Sequence, residues 1–174
     1  MYSLRVVPPN AHRSALLTFD SGVRNCLDSL LSASLGESEW ELATLATSLG
    51  GLGLRSTEMH SPAAFFASHA ACNELCSKVD PQFTWTVNDS ISDVHAALSS
   101  CNSRTRSESQ VSPDSSERPS QKQLSKAIDA CTLARLKVTK QNDTRFLAHL
   151  NHTSASGANQ WLHALFSEAL GLHT

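Results

Sequence analysis

Carboxylates, imidazoles, thiols and a late run of lysines are the groups with which this 174-residue chain could do chemistry. Asp20 and Asp28 stand eight residues apart on one expected helix, about 12 Å by helical rise. Two-metal nucleotidyl transfer needs carboxylates that hold ions about 4 Å apart, so this pair does not qualify. His69, Cys72 and Cys76 follow an i, i+3, i+7 pattern on one helix face. A tetrahedral zinc site would need His60 or Cys101 as a fourth ligand, and buried thiols on an alanine-rich helix are the simpler reading. His149 and His152 lack a cysteine partner. Gly50-Gly51-Leu52-Gly53 fits neither dinucleotide nor Walker spacing. It reads as a turn needing positive φ, with Leu52 and Leu54 filling the core. No nucleophile elbow or Cys–His pairing stands out. Catalytic residues, metal ligands and cofactors are therefore expected to be absent.

Charge points elsewhere. The formal net charge is -2, but it averages unlike regions. Residues 1–60 hold four Arg against six Asp and Glu, whereas residues 121–145 hold six Lys and Arg against two Asp. Lys122, Lys126, Arg135, Lys137 and Lys140 are the candidate contacts to nucleic-acid phosphates, with Arg55 a secondary one. Trp40 and Trp161 fall on apolar helix faces and belong to packing. Trp85, in a short irregular passage, is the one candidate for base stacking.

The elements that position these residues are expected to be helical. The hydrophobic fraction is 40% with only 6% aromatics, so the core is built from Ala, Leu and Val, which suits helix packing. The fold class expected is mainly α: two small helical lobes joined by a disordered Ser/Pro-rich linker. The first lobe is 1–101, the linker 102–120 and the second lobe 121–174. Residues 1–9 read as extended because of Pro8-Pro9. Ala15, Leu16, Phe19, Val23, Cys26, Leu27, Leu30 and Leu31 mark the inner face of the first helix. Ser38 with Glu41 and Ser120 with Gln123 form two capping boxes. Ser61-Pro62 opens another helix. Asp89 caps one with Ile91, Val94, Leu98 and Cys101 inside. Further helices are expected from Asp143 to Leu150 and from Ala158 to Leu170. Five cysteines at irregular spacing, without a secretory pattern or a long apolar run, suit reduced thiols inside the cell, nuclear or cytoplasmic, with no membrane partner.

An ordered set of words then carries a resemblance. Arg5-Val6-Val7-Pro8-Pro9 precedes Ala15-Leu16, Phe19-Asp20 and Trp40 with Ala43 and Leu45. Gly50-Gly51-Leu52-Gly53-Leu54-Arg55-Ser56 and His60-Ser61-Pro62-Ala63-Ala64-Phe65 follow. Gln123-Leu124-Ser125, Ile128-Asp129, Asp143 to Leu147 and Gly157 to Leu162 complete the order. The set resembles the region downstream of the polymerase domain in retrotransposon-type reverse transcriptase polyproteins, and it covers nearly the whole chain. The family usually carries proline where Phe166 stands. The resemblance implies a non-catalytic fragment between a palm with a Tyr-x-Asp-Asp turn and a Cys/His-rich segment, neither of which this sequence contains. Its partners would be RNA or DNA and the polymerase region. The alternatives are a helical protein-interaction module and the remnant of a decayed element.

Overall fold

A computed structural model of the chain describes residues 3–84, 87–113, 118–155 and 157–158. Seven α-helices occur among them: α1 (Ser3–Val6), α2 (Arg13–Leu31), α3 (Glu37–Thr44), α4 (Thr57–Val79), α5 (Asp93–Ser103), α6 (Gln121–Thr139) and α7 (Thr144–Thr153). The described residues contain no strand, so the mainly α reading stands. The expected helix from Ala158 to Leu170, with Trp161, lies outside them apart from its first residue, and so does Trp85.

Helix α4 is the hub, touching α1, α2, α5 and α6. Its small alanines let neighbours approach closely, so Ala63, Phe65, Phe66, Ala67 and Ala70 are buried from several sides at once. Against them pack Val94, Ala97, Leu98 and Cys101 of α5, and Leu124 and Ile128 of α6. One core therefore includes helices from both sides of the expected lobe boundary. Burial pushes the Cys101 thiol up to about 11, against the opposing pull of the Arg104 guanidinium.

The first part of the expected disordered linker is held by specific bonds. The Asn102 amide donates to the Val111 carbonyl and accepts from its N–H, both at 2.9 Å, and Thr105 is buried. Composition alone undervalued these side-chain clamps. Residues 114–117 lie outside the described part.

Arg104 explains a second departure. Helix α4 starts not at Ser61 but at Thr57, with Ser56 as its cap accepting from the Met59 N–H. Pro62 thus sits inside the helix, where it cannot donate to the Glu58 carbonyl. That carbonyl instead accepts from Arg104 Nη1 at 2.7 Å and from Ser61 Oγ at 3.1 Å. Arg104 Nη2 also meets Glu58 Oε1 at 3.0 Å. Replacing Arg104 by Ala should cost about 1.5–3 kcal/mol, the range for a hydrogen bond from a charged donor. A urea midpoint lowered with an unchanged slope would register it; an unshifted midpoint would show that Pro62 is tolerated without this bond.

Other local expectations shift for identifiable reasons. Residues 3–6 are helical rather than extended, because Leu4 tucks against Leu16 and Ala64. Helix α3 is entered at Gly36 with no side-chain cap, so Ser38 lies within its first turn rather than capping it. Asp89 accepts from the Ile91 N–H in a turn, Ser92 caps α5, and Ile91 is 92% exposed rather than inside. The capping box of Ser120 and Gln123 is present. Asp143 caps α7 by accepting from the Phe146 N–H. In α2 only Leu16 is buried. Asp20, Arg24 and Asp28 face inward to bond other elements, which turns much of the expected apolar face outward.

The glycine turn folds back over the end of α3. Gly50 and Gly53 take positive φ, as expected. Leu52, however, is exposed and Leu54 only half-buried. What fills the turn instead is Gly51, itself buried. Gly50 lies against Leu150 and Thr153 of α7.

Candidate nucleic-acid interface

Helix α6 carries four of the six proposed phosphate contacts, and its start is fixed by the reciprocal Ser120–Gln123 box. Its buried side comprises Leu124, Ser125, Ile128, Asp129, Thr132 and Leu136. At 100° per residue, Lys122, Lys126 and Lys137 fall within an arc of about 60° along one flank of the buried side, with Lys122 about 20° from Asp129. All three are exposed. They span about 22 Å of helix and meet no carboxylate among the described residues.

The remaining candidates are engaged. Arg135 Nη2 lies 2.9 Å from Glu41 Oε1. Lys140 Nζ lies 3.7 Å from Glu39 Oε1 and 5.6 Å from the Phe146 ring centre. These pairs tie α6 to α3 and partly neutralise both cations. Arg55 Nη2 reaches Asp129 Oδ2 at 3.3 Å. Arg5 was missed by the sequence reading: its Nη2 donates to Gln121 Oε1 at 3.3 Å, which places it at the entrance of α6. No sequence signal marks it, because it lies 116 residues from its partner.

Asp129 decides the electrostatics of this face. It is the sole acidic residue of α6, and its side chain is 4% exposed. His60 Nε2 meets its Oδ1 at 3.2 Å while Arg55 holds Oδ2. A buried carboxylate so paired joins the start of α4, the strap from the glycine turn and α6. It also removes the only negative charge from the outer face of α6.

The same residues border a cavity of about 260 Å³ between α2, α3, α4 and α6. Asp20, Arg24, Trp40, Glu41, His60 and Asp129 line it. Trp40 is buried, as its apolar face required, with the Arg24 guanidinium 5.9 Å from its ring centre. Arg24 also donates to the Leu35 carbonyl and to Glu37. An Asp–His pair can orient an imidazole for base catalysis when its other nitrogen faces a nucleophile. Here His60 Nδ1 is buried with no hydrogen-bond partner among the described residues.

The cysteine and histidine pattern of α4 is not drawn into a metal cage. His69 packs at a tilt of 42° against Phe65 with ring centres 4.2 Å apart, and burial lowers its pKa against the opposing charge of Asp93. Cys72 is exposed, Cys101 is in the core and His60 is turned to Asp129. Among the described residues no three His, Cys, Asp or Glu side chains are placed to hold a metal ion. No helix among them is long and apolar enough to cross a membrane. The chain matches no protein-family model, no curated protein and no solved structure.

Proposed function

We propose that this chain is a non-catalytic accessory region of a retroelement reverse transcriptase that holds RNA or DNA by its phosphates along the outer face of α6. The resemblance of its ordered motifs to the region after the polymerase domain supports the parentage. The observation that carries the contact is the internal placement of Asp129, which leaves Lys122, Lys126 and Lys137 as a face of one sign. Lysine ammonium groups bind phosphate as point charges and read no base edges, so binding is electrostatic and nearly sequence-independent. The polymerase region would be the protein neighbour, and the site of action is inside the cell.

Replacing Lys122, Lys126 and Lys137 together by Glu tests this reading. Fluorescence anisotropy with a labelled single-stranded RNA should show affinity falling at least tenfold. The slope of log affinity against log salt should shrink by about two, since each phosphate contact on a single strand contributes about 0.7. Reversal of Lys140, already paired with Glu39, should have a smaller effect. Unchanged affinity and slope in the triple variant would remove α6 as the interface.

A further inference from the structure

The cavity of about 260 Å³ between α2, α3, α4 and α6 is lined by two kinds of surface. Leu17, Trp40, Leu45, Met59 and Ile128 supply an apolar one. A cavity of about 150 Å³ lined by apolar side chains can hold benzene, so there is room here for a six-membered ring with a polar substituent. The other surface is acidic. Asp20, Glu37, Glu41, Glu58 and Asp129 stand in it against two guanidinium groups, those of Arg24 and Arg135. Arg13, Arg55 and Arg104 hold Glu58 and Asp129 but are not part of the lining. Asp20 has no cation within ion-pair distance among the described residues. Its four donors, the Ser56 and Thr57 hydroxyls and the Thr57 and Glu58 N–H groups, are all neutral.

Thr132 is the second, independent observation. It lines the cavity and is only 9% exposed. A serine or threonine inside a helix commonly returns its hydroxyl to the carbonyl four residues back, as Thr18, Ser21, Ser29, Ser77 and Thr153 do here. Thr132 makes no such bond to Ile128, and its hydroxyl has no partner among the described residues. A polar group taken from bulk water without a bond is costly. The partner of this hydroxyl is therefore to be sought in the cavity that it borders.

We infer that this cavity is a binding site for a small cation that carries N–H donors on an apolar ring, an amidinium or a protonated amino-substituted ring. The ring lies against Trp40, Leu45 and Ile128. An N–H group donates to Thr132 Oγ1, and the charge is held by the acidic lining, Asp20 foremost. An apolar pocket with a few placed polar groups is the usual build of a small-molecule site. The same carboxylates repel a carboxylate or phosphate ligand, because like charges in a partly enclosed space are poorly screened. The site lies on the buried side of α6 and uses none of Lys122, Lys126 and Lys137, so it stands apart from phosphate binding.

Titration of the full chain with benzamidine, a flat amidinium, tests the inference through the tryptophan indole N–H signals in proton–nitrogen correlation spectra. Trp40→Phe identifies the signal of the tryptophan in the cavity. That signal should shift and saturate with a Kd of about 1 mM, since a ligand of this size is limited in affinity. Benzoate, of the same shape and opposite charge, should bind at least tenfold more weakly. Thr132→Val removes the hydroxyl and keeps the shape. Its affinity for benzamidine should fall about three- to tenfold, the worth of one hydrogen bond, while its melting midpoint holds or rises. Thr132→Met fills the space and should abolish binding. A Trp40 signal unmoved at about 20 mM benzamidine overturns the inference, and so does benzoate binding as tightly as benzamidine. Binding that survives in folded Thr132→Met overturns it by placing the ligand elsewhere. Should Thr132→Met not fold, Thr132→Val decides, and unchanged affinity there overturns the inference as well.

Discussion

Gly51→Ala should lower the stability of the fold by about 3–4 kcal/mol, a value built from backbone overpacking and lost carbonyl partners. A Cβ on Gly51 would run into the carbonyl oxygens of Leu42 and Leu45, which belong to backbone and cannot swing aside. The turn that must yield also satisfies the end of α3. The Gly51 N–H donates to Ala46 O at 3.2 Å, the Leu52 N–H to Ala43 O at 3.1 Å and the Gly53 N–H to Leu45 O at 2.8 Å. Lifting the turn leaves these orphan carbonyls without partners. It also withdraws the seat of α7, because Gly50 touches Leu150, which is fully buried. At about 2–4 °C per kcal/mol for a chain of this length, the melting midpoint should fall by about 10 °C. Gly53→Ala supplies the comparison. Its φ of 75° is unfavourable for alanine, yet the nearest atom to its Cβ is the Thr47 methyl at 3.6 Å. Only the left-handed backbone is strained there, at about 1–2 kcal/mol. Equal effects at the two positions would refute the close-approach account of Gly51.

The contrast shows what the sequence could and could not disclose. A glycine-rich turn, the box at Ser120, the helix that opens near Asp143 and the periodicity of α6 are local signals, readable within a few residues. The reason for Gly51 is not local: it depends on how the strap lies over α3. The same holds for Pro62. Its position reads as a helix start, since nothing within several residues reveals that Arg104 will serve the carbonyl it leaves unbonded. Helix α2 was misjudged for a related reason. Apolar periodicity selects the face a helix would bury if its polar residues preferred water. Asp20 and Arg24 find better partners inside, in Ser56, Thr57 and the ring of Trp40, and the helix turns accordingly. At the candidate interface the run of basic residues was legible, but not its division into free and paired cations. That division follows from where Asp129, Glu39 and Glu41 end up, and sequence does not place them.

Asp20→Ala should be the second large loss, about 3 kcal/mol, because one carboxylate organises the start of the central helix. Its Oδ2 accepts from Ser56 Oγ at 2.6 Å and from the Glu58 N–H at 3.2 Å. Its Oδ1 accepts from the Thr57 N–H at 2.8 Å and from Thr57 Oγ1 at 2.7 Å. A negative charge at a helix N-terminus also meets the positive end of the helix dipole. Bonds to a charged acceptor contribute about 1.5–3 kcal/mol each in isolation. Four that share one side chain do not add, and partial exposure to the cavity lets water replace some of them. Asn at position 20 separates geometry from charge. One amide oxygen can still accept from backbone N–H groups, while the amide NH2 opposes the donors that the other carboxylate oxygen served. Asp20→Asn should therefore lose about half as much as Asp20→Ala. Chemical denaturation followed by circular dichroism measures both. A loss below about 0.5 kcal/mol for Asp20→Ala, the range of ordinary surface substitutions, would mean that Ser56 caps α4 unaided. The inward turn of α2 would then need another cause.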